Sequence, residues 1–135
     1  MKETQTNTEE TLFTQFDLPR EVLKGIESAG FKSCTPIQAL ALPMTLKGMD
    51  IAAQAQTGTG KTATFLITIF SHLLKRSASK GRGPRALVIA PTRELAVQIC
   101  EEAKLLGSHT KFRVLPVFGG IDYLKQQEAL KRGTD

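Results

Sequence analysis

Ala55-Gln-Thr-Gly-Thr-Gly-Lys-Thr62 decides the fold of this chain. It fits the phosphate-binding loop pattern [AG]xxxxGK[ST], with Ala55 in the place of the first glycine. At average residue frequencies the pattern arises by chance in roughly one chain in a hundred of this length. Its neighbours sharpen the reading. Before it, Asp50-Ile-Ala-Ala-Gln-Ala55 is a short run of small residues, placed where a buried parallel strand feeds such a loop. After it, residues 61–75 (KTATFLITIFSHLLK) put Phe65, Ile69 and Leu73, with Leu66, Phe70 and Leu74 alongside, on one wide apolar face, which predicts a helix buried against a sheet.

The chemistry expected of the loop follows from its residues. Gly58 and Gly60 let the backbone turn its N–H groups toward phosphate oxygens, and the helix adds its positive N-terminal end. Lys61 is placed to reach the β- and γ-phosphates, and the Thr62 hydroxyl to ligate Mg²⁺. Nucleotide phosphates with Mg²⁺ are the expected ligands of the loop itself. Read without that chemistry, the stretch is a glycine-rich turn from strand to helix.

Working outward, the same alternation recurs. Residues 85–90 (RALVIA) form a continuous apolar strand candidate stopped by Pro91, and residues 93–106 carry Leu95, Ile99, Ala103 and Leu106 on one helical face. Residues 112–118 are a third strand candidate despite Pro116, and Gly119-Gly120 turns into a last helix at about 123–131. Toward the N-terminus, helices are predicted from Pro19 to Gly30 and from Pro36 to about Lys47, the latter bent at Pro43. Three successive strand-helix units predict an α/β parallel sheet with right-handed crossovers. Residues 1–11, with four Thr, three Glu and no apolar residue after Met1, read as a disordered leader, with order from Leu12.

Composition sets the outer bounds. With 135 residues, 41% hydrophobic and 23% charged, the chain is of ordinary globular make-up, long enough for one core. Eighteen basic against 13 acidic residues leave +5, unevenly placed: residues 1–60 carry 5 basic and 7 acidic side chains, residues 61–135 carry 13 and 6. A polyanion would find the later segment. The basic run Lys75, Arg76, Lys80, Arg82, Arg85 reads as a solvated loop more than as a contact. Cys34 and Cys100 stand 66 positions apart with no metal-ligand or CxxC spacing, so reduced thiols in a cytoplasmic setting are expected. No secretory leader and no membrane-spanning run are read.

Taken together, GFKSCTPIQ at 30–38, AQTGTGKT at 55–62 and PTRELA at 91–96 resemble the DEAD-box ATP-dependent RNA helicases, in that family's motif order. The likeness runs from about Phe13 to Asp135, and CTPIQALALP looks most like bacterial members of the RhlB type. It implies the first part of a RecA-like P-loop NTPase domain, incomplete at three strand-helix units, with a Q motif over 13–38, the P-loop at 55–62, motif Ia at 91–96 and a GG element at 119–120. On this resemblance ATP is held by Phe13, Phe31, Gln38 and the loop residues Ala55, Gln56, Thr57, Gly58, Thr59, Gly60, Lys61 and Thr62. Gln38 reads the adenine edge and Phe31 stacks on the base, while Lys61 and Thr62 serve catalysis. RNA runs along Pro91, Thr92, Arg93, Gly119 and Gly120 through its sugar-phosphate backbone, with little sequence specificity.

Without the resemblance, Phe31 reads as core, Gln38 as a cap, PTRE as an N-capped helix and Gly119-Gly120 as a simple turn. Cys34 stands where the family often has proline. The acids after Thr62 are Glu94, Glu101, Glu102, Asp122, Glu128 and Asp135, none at the end of an apolar run, and the family's TPGR, DEAD and SAT elements and second domain are not read. The 135-residue chain is therefore expected to bind nucleotide weakly, to unwind nothing alone and to expose strand edges. Protein partners in an RNA-processing or degradation complex fit the resemblance; a non-catalytic RNA- or partner-binding module is the competing reading.

Overall fold

The computed structural model describes residues 10–76 and 83–135. A one-turn 3-10 helix, Phe13–Gln15, precedes five helices: α1 (Arg20–Ser28), α2 (Pro36–Thr45), α3 (Lys61–Lys75), α4 (Arg93–Leu106) and α5 (Tyr123–Lys131). Each starts and stops for a local reason. Pro19 precedes α1 with φ already at −57°, and Gly30, at φ +78°, takes the left-handed turn behind it. Gln38 Oε1 accepts from the Thr35 N–H at 2.9 Å at the start of α2, and Thr92 Oγ1 accepts from Leu95 N–H at the start of α4. Pro43 lies inside α2 on its exposed side, and the helix closes two residues earlier than the sequence pattern suggests.

The core is helical. Val22 and Ile26 of α1, Leu42 of α2, Leu66, Ile67 and Phe70 of α3, and Ala103 and Leu106 of α4 bury one another, with Phe13 and Leu18 closing one side. α3 is the centre, packed on α1, α2 and α4. Its buried hydrophobic face is Ala63, Leu66, Ile67 and Phe70, so Leu66 and Phe70 of the expected wide face are buried while Phe65 and Ile69 line a cavity. α1 and α4 meet at Gly25, where a Cβ would lie 1.8 Å from the Leu106 carbonyl oxygen.

The predicted sheet departs most from expectation. Among the described residues there is no β-strand: segments 50–55, 85–90 and 112–118 run without pairing to one another. A helix satisfies its own backbone, whereas a strand takes its hydrogen bonds from a neighbour, and no backbone hydrogen bond joins any two of these segments among the described residues. Leu87 and Ile89, apolar residues of the second strand candidate, are 81% and 85% exposed. The exception is at one end, where Asp135 gathers two segments: its carbonyl accepts from Arg85 and Ala86 N–H, its N–H donates to the Arg113 carbonyl, and its carboxylate pairs with the Arg85 guanidinium.

Two smaller corrections concern the leader and the basic run. Glu10 and Thr11 are tied down, the first accepting from Ser33 Oγ at 2.7 Å and the second from Cys34 N–H at 2.8 Å; residues 1–9 lie outside the described residues. In the basic run, Lys75 pairs with Asp17 at 2.6 Å, and Arg85 is half-buried on Asp135 and sits 5.3 Å over the Phe112 ring. Such pairing takes Arg85 out of the solvated set; Lys80 and Arg82 lie outside the described residues. No helix is long and apolar enough to cross a membrane among the described residues.

Candidate functional site

The P-loop is built as its glycines require. Gly58 and Gly60 take φ of +80° and +90°, a conformation open to glycine and strained for other residues. α3 begins straight after Gly60 with no side-chain cap, so its first N–H groups are left without an acceptor from the chain. Uncapped donors facing a cavity suit phosphate oxygens. Lys61 lies back across the loop, its ammonium donating to the Ala55 and Gln56 carbonyls, the latter at 2.7 Å. Thr59 Oγ1 donates to the Gln56 carbonyl at 2.7 Å. The Thr62 hydroxyl has no partner among the described residues and lines the cavity, as does Thr57.

A second element is bonded onto this loop. Gln38 is 2% exposed, and its Nε2 donates to the Gly60 carbonyl at 3.2 Å while its Oε1 holds Thr35 N–H. Thr35 Oγ1 donates to the Thr59 carbonyl at 2.7 Å. A Cβ on Gly60 would lie 2.5 Å from Gln38 Nε2. Both ends of the Gln38 amide thus already serve the chain, and each retains one further hydrogen-bonding direction.

These residues line one cavity of about 960 Å³. Phe31 (36% exposed), Thr35, Ile37 and Gln38 form one wall, the loop from Thr57 to Thr62 the floor, and Leu95, Gln98, Ile99 and Glu102 of α4 the far side with Val88 and Ile89. Phe13 is buried and outside the lining; it backs Phe31, ring centroids 6.5 Å apart at 24°. Ala55 and Gln56 reach the site through their carbonyls. Glu102 went unread in the sequence as a cavity residue; burial raises its carboxyl pKa above the ordinary value. Burial also pushes the Cys34 thiol up to about 11, and both cysteines are free.

The second cluster lies at the start of α4. Pro91, Thr92 and Arg93 are exposed there, and the Arg93 guanidinium packs on Gly120, where a Cβ would meet its nitrogens at 2.7 and 2.9 Å. Gly120 takes φ +82°. Gly119 is next to open space. Two stretches 27 positions apart in sequence are therefore one surface, which neither motif alone reveals. Gln126, also unread in the sequence, holds the turn: Phe118 N–H donates to its Oε1 at 2.9 Å and its Nε2 donates to the Phe118 carbonyl at 3.0 Å. Among the described residues no group of three or more His, Cys, Asp or Glu could hold a metal ion.

The chain is similar to known proteins over most of its length. The chain is 52% identical over 126 residues to the ATP-dependent RNA helicase RhlB of Xanthomonas oryzae, covering 91% of this chain and 22% of that protein. It is 49% identical over 134 residues to RhlB of Shewanella frigidimarina, covering 97% and 31%. The chain thus spans between a fifth and a third of the length of these relatives. Among solved structures, a DEAD box protein from the hyperthermophile Methanococcus jannaschii superposes with TM-score 0.80 at 32% identity, over 91% of this chain and 33% of that one. The RNA helicase Prp28 from Chaetomium thermophilum, bound to ADP, does so with TM-score 0.77 at 39% identity, over 86% and 28%. The family model of the DEAD/DEAH box helicases matches residues 35–135, and the chain belongs to that family.

Proposed function

We propose that this chain supplies the nucleotide pocket and part of the RNA track of an ATP-dependent RNA helicase of the RhlB type, working in the cytoplasm. The observation that carries the reading is the bonding of Gln38 and Thr35 onto the Gly60 and Thr59 carbonyls, which fuses an amide-bearing wall to the phosphate loop around one cavity. Adenine lies against Phe31, with the spare directions of the Gln38 amide on its edge. The phosphates lie over the Gly58–Thr62 backbone. Lys61 leaves the Ala55 and Gln56 carbonyls for the β- and γ-phosphates, and the free Thr62 hydroxyl holds Mg²⁺. Mg²⁺ held there would supply charge neutralisation at the phosphates; the residues of this chain bind and orient.

RNA is read along Pro91, Thr92, Arg93, Gly119 and Gly120. Arg93 offers a fork of donors to a phosphate, and the glycines let the backbone approach it. Residues 12–135 form one unit in this reading, and segments 50–55, 85–90 and 112–118 take the places of strands in a RecA-like arrangement without pairing to one another; the superposition on DEAD-box structures supports that reading.

The test is base selectivity. ADP and GDP are titrated into the wild-type chain and into Gln38→Ala. Wild type favours ADP, and the variant loses the preference more than it loses phosphate affinity. Equal binding of both nucleotides by wild type removes the adenine assignment.

A further inference from the structure

Gln126 sits in the second turn of α5, a helix with no buried residue. The core therefore does not decide where α5 lies. Its side chain does: the carboxamide offers one acceptor and one donor side by side, as a peptide unit does, and spends both on the two backbone groups of Phe118. Asp122 caps the helix by accepting from Leu124 and Lys125 N–H, so cap and clamp together bracket the four residues between Phe118 and Tyr123. Within that bracket stands Gly120, its backbone under the Arg93 guanidinium. Arg93 itself has no ion pair or hydrogen bond among the described residues, so the packing on Gly120 is what orients its donors.

We infer that Gln126 is a positioning residue for RNA binding: by clamping Phe118 it holds the Gly119-Gly120 turn against Arg93, so that guanidinium and glycine backbone present one phosphate-binding surface. This rests on the RNA reading of Arg93 and the glycines given above. Released from Phe118, the turn moves with α5, and Arg93 loses the surface that fixes its direction.

The experiment is a double-mutant cycle on the full chain. Affinity for a labelled single-stranded oligoribonucleotide at fixed low salt is measured for wild type, Gln126→Met, Arg93→Ala and the double variant, with ADP titrated alongside. Met keeps the length and helix propensity of Gln and makes neither hydrogen bond. Expected are an RNA affinity about fivefold lower for Gln126→Met, the size of one net hydrogen bond, no further loss when it is added to Arg93→Ala, and unchanged ADP affinity. Hydrogen exchange gives the local readout: the Phe118 and Gly120 amides exchange faster in Gln126→Met while those of α1 to α4 do not. Losses that add, a parallel fall in ADP affinity, or faster exchange throughout the chain each overturn the positioning role. Arg93→Ala without effect on RNA overturns the RNA reading itself, whereas an effect of Arg93→Ala with none of Gln126→Met overturns this inference alone.

Discussion

The Gln38 side chain donates through Nε2 to the Gly60 carbonyl at 3.2 Å, so the wall of the pocket and the hinge of its phosphate loop are bonded to each other. The same carbonyl accepts from Thr64 Oγ1 at 2.8 Å and from Thr64 N–H at 3.1 Å. Gly60 is thereby held at φ +90° from two sides, and under the proposed reading a base placed at Phe31 and Gln38 is felt at the phosphates through this one residue.

Gln38 substitutions separate its two bonds. Gln38→Ala loses both, leaving Thr35 N–H and one direction of the Gly60 carbonyl bare, and lowers stability by about 2 kcal/mol. Gln38→Glu keeps an acceptor for Thr35 N–H but sets a buried carboxylate oxygen against the Gly60 carbonyl in place of the donor. Its stability loss in denaturant titration is at least that of Gln38→Ala, and its nucleotide affinity falls at least as far. Wild-type affinity in Gln38→Glu contradicts the coupling.

The two loop glycines are unequal. Gly58→Ala meets open space and bears only the strain of a left-handed backbone, about 1 kcal/mol. Gly60→Ala bears the same strain and also drives a Cβ to 2.5 Å from Gln38 Nε2, displacing that side chain. Thermal unfolding and ADP titration should both rank Gly60→Ala as the worse; equal effects refute the contact.

Gly25 tests the helix packing. In an exposed helix Gly→Ala is stabilising by about 1 kcal/mol. Here the Cβ would lie 1.8 Å from the Leu106 carbonyl oxygen, so α1 and α4 must part, and the net change is a loss of about 2–3 kcal/mol or more. A stabilised Gly25→Ala variant would show that the helices do not meet there.

Glu102 gives a pH dependence. Burial raises its pKa in the folded chain above the ordinary carboxylate value of about 4.3, so between the two values the folded state binds more protons than the unfolded one. Stability contributed by the protonated carboxyl is present below the unfolded pKa and is lost as pH rises through the folded pKa. Glu102→Gln should remove that decline and leave a flatter stability profile above pH 4, read by denaturant titration at several pH values. Identical slopes in variant and wild type contradict a buried Glu102.

The helices were legible because a helix carries its own evidence: α3, α4 and α5 fall on the residues that apolar spacing and caps indicate. Segments 85–90 and 112–118 were not, since strand formation depends on neighbours that spacing does not name. The loop was legible at Gly58 and Gly60, because a left-handed backbone selects glycine there. Contacts across the sequence were hidden: nothing in PTRELA says that Arg93 lies on Gly120, and Gln126 is an ordinary amide on an amphipathic helix until its partners are seen.

We propose one nucleotide site made of the phosphate loop and the Gln38 wall. It is tested most directly by calorimetric titration of ADP with Mg²⁺ into wild type, Lys61→Ala, Gln38→Ala and the double variant. Expected are weak saturable binding by wild type, a loss of about tenfold in each single variant, and a double variant much less than a hundredfold weaker, because Gln38 holds the Gly60 carbonyl directly before Lys61, so its removal already misplaces part of what Lys61 contributes. Binding that survives Lys61→Ala unchanged, or losses that simply multiply, would contradict it.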